Sequence, residues 1–171
     1  MQFSVIGISE TWMNDNYSYE HFKIPNYEAY YSNRLHKKGG GTALYIHSKL
    51  KHQCSTEGTY TVENCFEVVT TEIKQAENKL FYVSCIYRPP NTCLDKFNKC
   101  YMDFLNKYKG KQMYICGDFN INLLKYETQL ETTQFLDITY SYGLLPLITK
   151  PTRISNTTAT LIDNIFTNTV Y

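Results

Sequence analysis

No two of the six cysteines (Cys54, Cys65, Cys85, Cys93, Cys100 and Cys116) stand at C-x-x-C spacing, which argues against a zinc site. A long apolar run is also missing, after Met1 or elsewhere, so neither a signal peptide nor a membrane span is expected. A reducing, intracellular setting is expected, the nucleus included. Charge of one sign is lacking too. Seventeen Lys and Arg face 16 Asp and Glu, a formal net charge of +1, so nothing attracts nucleic acid in bulk. Polyanion binding would need local basic clusters. "NRLHKKGGG" (33–41) and "HSKLKH" (47–52) are the candidates, and each reads equally as a solvated turn. Without repeats, low-complexity tracts or a linker, residues 1–171 read as a single domain.

What is present is a globular composition, 43% hydrophobic with 16 tyrosines. Strand-like runs come first: "FSVIGIS" (3–9), "YEAYYS" (27–32), "GTALYIH" (41–47), "CFEVVTTEI" (65–73) and "KLFYVSCIY" (79–87). "QAEN" (75–78) reads as a hairpin turn, and Pro89 and Pro90 stop the ladder. A helix follows, with Thr92 and Asp95 as its start signal, Leu94, Phe97, Tyr101, Phe104, Leu105 and Tyr108 inward, and Gly110 as its end. A second helix covers about 129–142, with Phe135, Ile138 and Tyr142 inward and Gly143 as the stop. Between the helices lies a short strand, Tyr114 to Cys116, which Gly117 is expected to break. A final strand, "LIDNIFT", follows the polar loop after Pro151. Early hairpins and late crossovers predict an α/β fold of two packed sheets with helices outside.

Polar residues stand at the ends of these strands. Glu10 ends the first, and Tyr87 and Arg88 end the fifth. Asp118 and Asn120 follow "YIC", while Asp163 and Asn164 interrupt an apolar run. Asp118 and Asn120 could be a plain turn; extended, they would project on one side. Three strand-end carboxylates with an amide and a phenol suit a hard divalent cation such as Mg²⁺, which takes oxygen ligands and substrate phosphate. A carboxylate left over can deprotonate water for attack on phosphorus. Phosphoester hydrolysis is the reaction class this suggests.

"ISETW" (8–12), "YRPPN" (87–91), "GDFN" (117–120) and "LIDNIFT" (161–167), in that order, resemble the endonuclease/exonuclease/phosphatase superfamily. "RLHKKGGGTALYI" resembles its subgroup, the endonuclease domains of non-LTR retrotransposons. The resemblance implies a four-layered α/β sandwich and Mg²⁺-dependent hydrolysis of DNA, with Mn²⁺ as an alternative ion. It implies Glu10 as the metal ligand, Tyr87 at the scissile phosphate, and Asp118 as the residue that activates water. Asn120 would hold that water, and Asp163 would orient a catalytic histidine. Arg88 and Asn164 are added as candidate substrate-binding residues. Trp12 reads as packing or as a surface on which a base could stack. "KKGGG" reads as a tight turn.

The family pattern also has a strand with a metal-site asparagine before the first motif and a strand ending in Ser/Thr-Asp-His after the last. Neither is found between Met1 and Tyr171, and His21, His36, His47 and His52 match no family position. The expectation is a domain truncated at both ends with impaired nicking. The rival readings are a catalytically dead nucleic-acid-binding or interaction remnant, and a phosphatase acting on inositol phosphates or lipids.

Overall fold

The computed structural model describes residues 3–13, 19–34, 38–75 and 79–169. Twelve strands and two α-helices are found among them. In chain order they are β1 (Val5–Ser9), β2 (Tyr27–Ser32), β3 (Thr42–His47), β4 (Lys51–Cys54), β5 (Tyr60–Val62), β6 (Phe66–Lys74), β7 (Leu80–Tyr87), α1 (Leu94–Lys107), β8 (Gln112–Asp118), α2 (Leu130–Ser141), β9 (Leu145–Pro146), β10 (Arg153–Ile154), β11 (Ala159–Thr160) and β12 (Asp163–Thr167).

A three-stranded antiparallel sheet has the order β1-β3-β2. A seven-stranded mixed sheet runs β4-β6-β7-β8-β12-β9, with β5 added beside β6. Its single parallel pair, β7 with β8, is joined through α1, the long crossover that a parallel pair requires. Period-2 alternation sorts the large sheet's side chains. Val68, Ile86, Ile115 and Phe166 face the helices and join Phe97, Tyr101, Phe104 and Leu105 of α1 and Phe135 and Leu136 of α2. Val69, Ile73, Val83 and Cys85 face the small sheet and meet Leu44 and Ile46 of β3. The α/β class with packed sheets and outer helices is therefore observed, and both described helices cover the same face of the large sheet.

Three local expectations are corrected. Cys93, not Thr92, stands at the start of α1 and makes no side-chain cap; the Thr92 hydroxyl donates instead to the carbonyls of Pro89 (2.8 Å) and Asn64 (3.1 Å). Second, β8 does not stop at Gly117 but continues to Asp118. Third, Asp118 and Asn120 are not two residues of one extended strand, because Asn120 turns into the left-handed region (φ 48°). The turn expected over 75–78 falls mostly outside the described residues, as does His36. Short β4, β5, β9, β10 and β11 carried no clear periodicity of their own.

Candidate active site

One rung of the large sheet carries three of the motif residues. Tyr87 pairs with Asp118 across the parallel β7–β8 ladder, and Asp118 pairs with Asp163 across the antiparallel β8–β12 ladder. Alternation sets their direction. Tyr87 lies two residues after Cys85, which faces the small sheet, so its side chain points the same way. Asp118, opposite Tyr87, and Asp163, opposite Asp118, share that face. Glu10 follows β1 in the small sheet, with a left-handed backbone (φ 56°). The Tyr87 phenol donates a short hydrogen bond to Glu10 Oε1 and so bridges the two sheets.

The close approach of β7 and β8 at this rim needs Gly117 (φ +151°), where an added Cβ would come 1.8 Å from the Ile86 carbonyl oxygen. Beyond the rung the chain is held by hydrogen bonds to the motif residues. Asp118 Oδ1 accepts from the Asn120 backbone N–H at 2.9 Å, and the Asn120 side-chain amide donates to the Arg88 carbonyl at 2.8 Å. Thus the Asp-x-Asn spacing is a turn and a site element together: the turn fixes the carboxylate.

Electrostatics mark Asp118. Burial raises its pKa to about 6, with the Asp163 and Glu10 charges adding to the rise, against the opposing Asn120 N–H and Arg153 charge. Tyr87 is also raised, first by burial and then by its bond to Glu10, so the phenol stays protonated at neutral pH. A carboxylate near neutrality beside a protonated donor is the pattern that acid–base sites use.

Arg88 and Asn164 are placed inside the fold. Arg88 is buried, and its guanidinium donates to the carbonyls of Thr92 (2.6 Å), Asn120 (3.1 Å) and Phe119 (3.5 Å), pinning the loop after β8 to the loop after β7. Burial lowers the Arg88 pKa, and the ring of Phe97 lies 5.6 Å from its carbon centre. Asn164 is buried too. Its amide donates to the Ile148 carbonyl (2.8 Å), and its oxygen accepts from the N–H groups of Ile165 (2.9 Å) and Ile148 (3.3 Å).

Among the described residues, no hydrogen bond or ion pair joins Asp163 to a histidine. The Asp163 backbone N–H donates to Thr152 Oγ1 at 3.3 Å. His47 and His52 sit toward the far ends of the sheets, His47 opposite Tyr27 and His52 opposite Ile73. No group of three or more His, Cys, Asp or Glu side chains among the described residues is gathered to cage a metal. The all-oxygen set of Glu10, Asp118, Asn120 and Asp163 instead fits an ion that uses one or two protein carboxylates and completes its shell with water and phosphate.

One residue that the sequence motifs did not point to, Glu67, lies beside this set and is held by Arg34 of the "NRLHKKGGG" run. Glu67 on β6 is fully buried opposite Tyr87, and Arg34 pairs with it at 2.5 Å. The available signal was a lone carboxylate inside the apolar run "CFEVVTTEI".

Comparison with known proteins places the chain. Among solved structures, it is similar to the endonuclease domain of TRAS1, a telomere-specific non-LTR retrotransposon, at 15% identity and a TM-score of 0.73, over 95% of this chain and 71% of that one. It is similar to the AP endonuclease LMAP from Leishmania major at 12% identity and a TM-score of 0.68, over 96% of this chain and 69% of that one. A third is the APE2 catalytic domain of Xenopus laevis, at 16% identity and a TM-score of 0.62, over 96% and 74%. These likenesses show the fold. No curated protein matches the chain. A family model described as endonuclease-reverse transcriptase matches residues 81–171, which hold Tyr87, Asp118, Asn120 and Asp163. More than half of the sequence is matched, so the chain belongs to the endonuclease-reverse transcriptase family, within the endonuclease/exonuclease/phosphatase superfamily.

Proposed function

We propose that this rim is the centre of a divalent-metal-dependent phosphodiester hydrolase acting as a DNA endonuclease. The observation that carries the reading is the rung Tyr87–Asp118–Asp163 tied to Glu10 through the Tyr87 hydroxyl. Burial raises the Asp118 pKa, the Asp163 and Glu10 charges add to the rise, and a site of this sign is one that Mg²⁺ or Mn²⁺ fits. Glu10, with Asp118 beside it, would hold the ion; bound there, it would neutralise charge on the phosphate and on the leaving oxygen.

The protein's own groups do the rest. Asp118 accepts the proton of a water as that water's oxygen bonds to phosphorus, and the bond to the leaving oxygen breaks in line. The Asn120 backbone N–H holds Asp118 in orientation for that transfer. Tyr87, kept protonated, would turn its one O–H from Glu10 to a phosphate oxygen, a bond that strengthens as charge develops. A positioned base of this kind typically contributes ~10²–10⁴-fold. DNA as substrate is supported by the family and by the TRAS1 and LMAP endonucleases among the similar structures.

One observation favours a second reading, a binding protein without turnover: His47 and His52 lie toward the far ends of the sheets, away from the rim. Supercoiled plasmid incubated with the chain in 5–10 mM Mg²⁺ or Mn²⁺ separates the two. Nicking that EDTA and Asp118→Ala both abolish supports the hydrolase. Plasmid retention without nicking supports the binder, and release of phosphate from inositol phosphates instead would overturn both.

A further inference from the structure

Glu67 has no counterpart among the motif residues, yet it is fully buried directly beside them, opposite Tyr87 on the neighbouring strand. One oxygen accepts the Gly41 backbone N–H at 2.5 Å, and the other accepts Arg34 Nε–H at 2.5 Å. Burial raises the Glu67 pKa, while Gly41 and Arg34 oppose the rise. A buried ion pair is weak as a stabilising device, because desolvation of two charges offsets their attraction. Its placement therefore needs another account.

Two routes lead from Glu67 to Glu10. One is through the backbone. Gly41, held by Glu67, accepts from the Thr11 N–H (3.3 Å), and Gly40 accepts from the Trp12 N–H (2.8 Å), so the glycine hairpin carries the segment on which Glu10 sits. The second passes through side chains. The Arg34 guanidinium lies 5.8 Å from the Tyr87 ring centre, and the Tyr87 hydroxyl donates to Glu10. Gly40 (φ +69°) makes room for this, since a Cβ there would stand 2.4 Å from the Arg34 guanidinium carbon. Glu10, Arg34, Gly40 and Tyr87 line one cavity of about 330 Å³.

We infer that Glu67, with Arg34, is a positioning residue that holds Glu10 and Tyr87 in the geometry needed to take a divalent cation. The inference rests on the hydrolase reading only for the use made of the ion; its test reads metal binding and local geometry directly. Mn²⁺ affinity is measured by electron paramagnetic resonance, and the emission of Trp12, the one tryptophan of the chain and two residues from Glu10, is recorded without metal. In Glu67→Gln, Mn²⁺ affinity is expected to fall at least tenfold and Trp12 emission to shift, with far-UV circular dichroism unchanged. The double variant Arg34→Gln/Glu67→Gln removes both charges and serves if the single variant fails to fold; the same two changes are expected. Glu72→Gln, farther along the same strand, is expected to alter neither. Wild-type Mn²⁺ affinity and emission in a folded Glu67 variant overturn the inference, as does wild-type protein that binds no Mn²⁺ through Glu10. Glu10-dependent Mn²⁺ binding without plasmid nicking defeats the hydrolase reading and leaves the role of Glu67 to be decided by the same numbers.

Discussion

The two faces of the large sheet are built differently. Against the helices, Phe66, Phe97, Tyr101, Phe104, Phe119, Phe135 and Phe166 form a continuous set of ring contacts, with centroids 5.1–6.5 Å apart. Against the small sheet the buried apolar set is thinner, Leu44, Ile46, Val69, Ile73, Val83 and Cys85. It is bordered by a cavity of about 760 Å³, lined among others by Val83, Cys85, Tyr114 and Asp163. The first face excludes water from large apolar surfaces and supplies most of the burial. The second carries the polar rung and the Glu67–Arg34 pair at its rim. Most of the apolar burial and the candidate site thus lie on opposite sides of the same strands.

The largest effect is expected on the aromatic face. Phe135→Ala opens a hole among four aromatic neighbours and should cost ~3–5 kcal/mol in urea unfolding. Val83→Ala, facing the open cavity, should cost only about 1–2 kcal/mol. Similar costs at the two positions would erase the distinction. Next comes Arg88→Met, which leaves three loop carbonyls without their donor; a loss of ~2–4 kcal/mol and of most nicking is expected, since the same loop carries Asn120. Smallest in stability is Tyr87→Phe, expected within ~1 kcal/mol of wild type by thermal melting, yet lower in nicking by about 10–100-fold with little change in substrate KM.

Much of this division could be read from sequence. The inward residues of both helices, the strands over 27–32 and 79–87, and the rung residues all follow from periodicity and strand-end chemistry. The strand-end signal names residue types but not their reach, so Arg88 looked available when its guanidinium is committed to carbonyls across the loop. Likewise Gly117 looked like a break, because sequence cannot show that Ile86 crowds it and that the strand persists. Glu67 was missed for a further reason. Its partners, Arg34 and Gly41, lie 33 and 26 residues away, and only the fold joins them.

On the hydrolase proposal, Asp118 is kept at the rim against stability because the chemistry uses it. Its pKa, raised to about 6 from an unfolded value near 3.8, means the folded state holds the proton more tightly. The stabilisation from protonated Asp118 is therefore full below about pH 4 and is lost as pH rises through about 6. At pH 7.5 without metal, removing the charge should help the fold. The decisive measurement is thermal melting and plasmid nicking of Asp118→Asn at that pH, side by side with wild type. We predict a variant more stable by ~1–3 kcal/mol, an advantage that vanishes near pH 4, with no nicking in Mg²⁺. A variant that melts lower than wild type at pH 7.5, or that still nicks, would contradict the account.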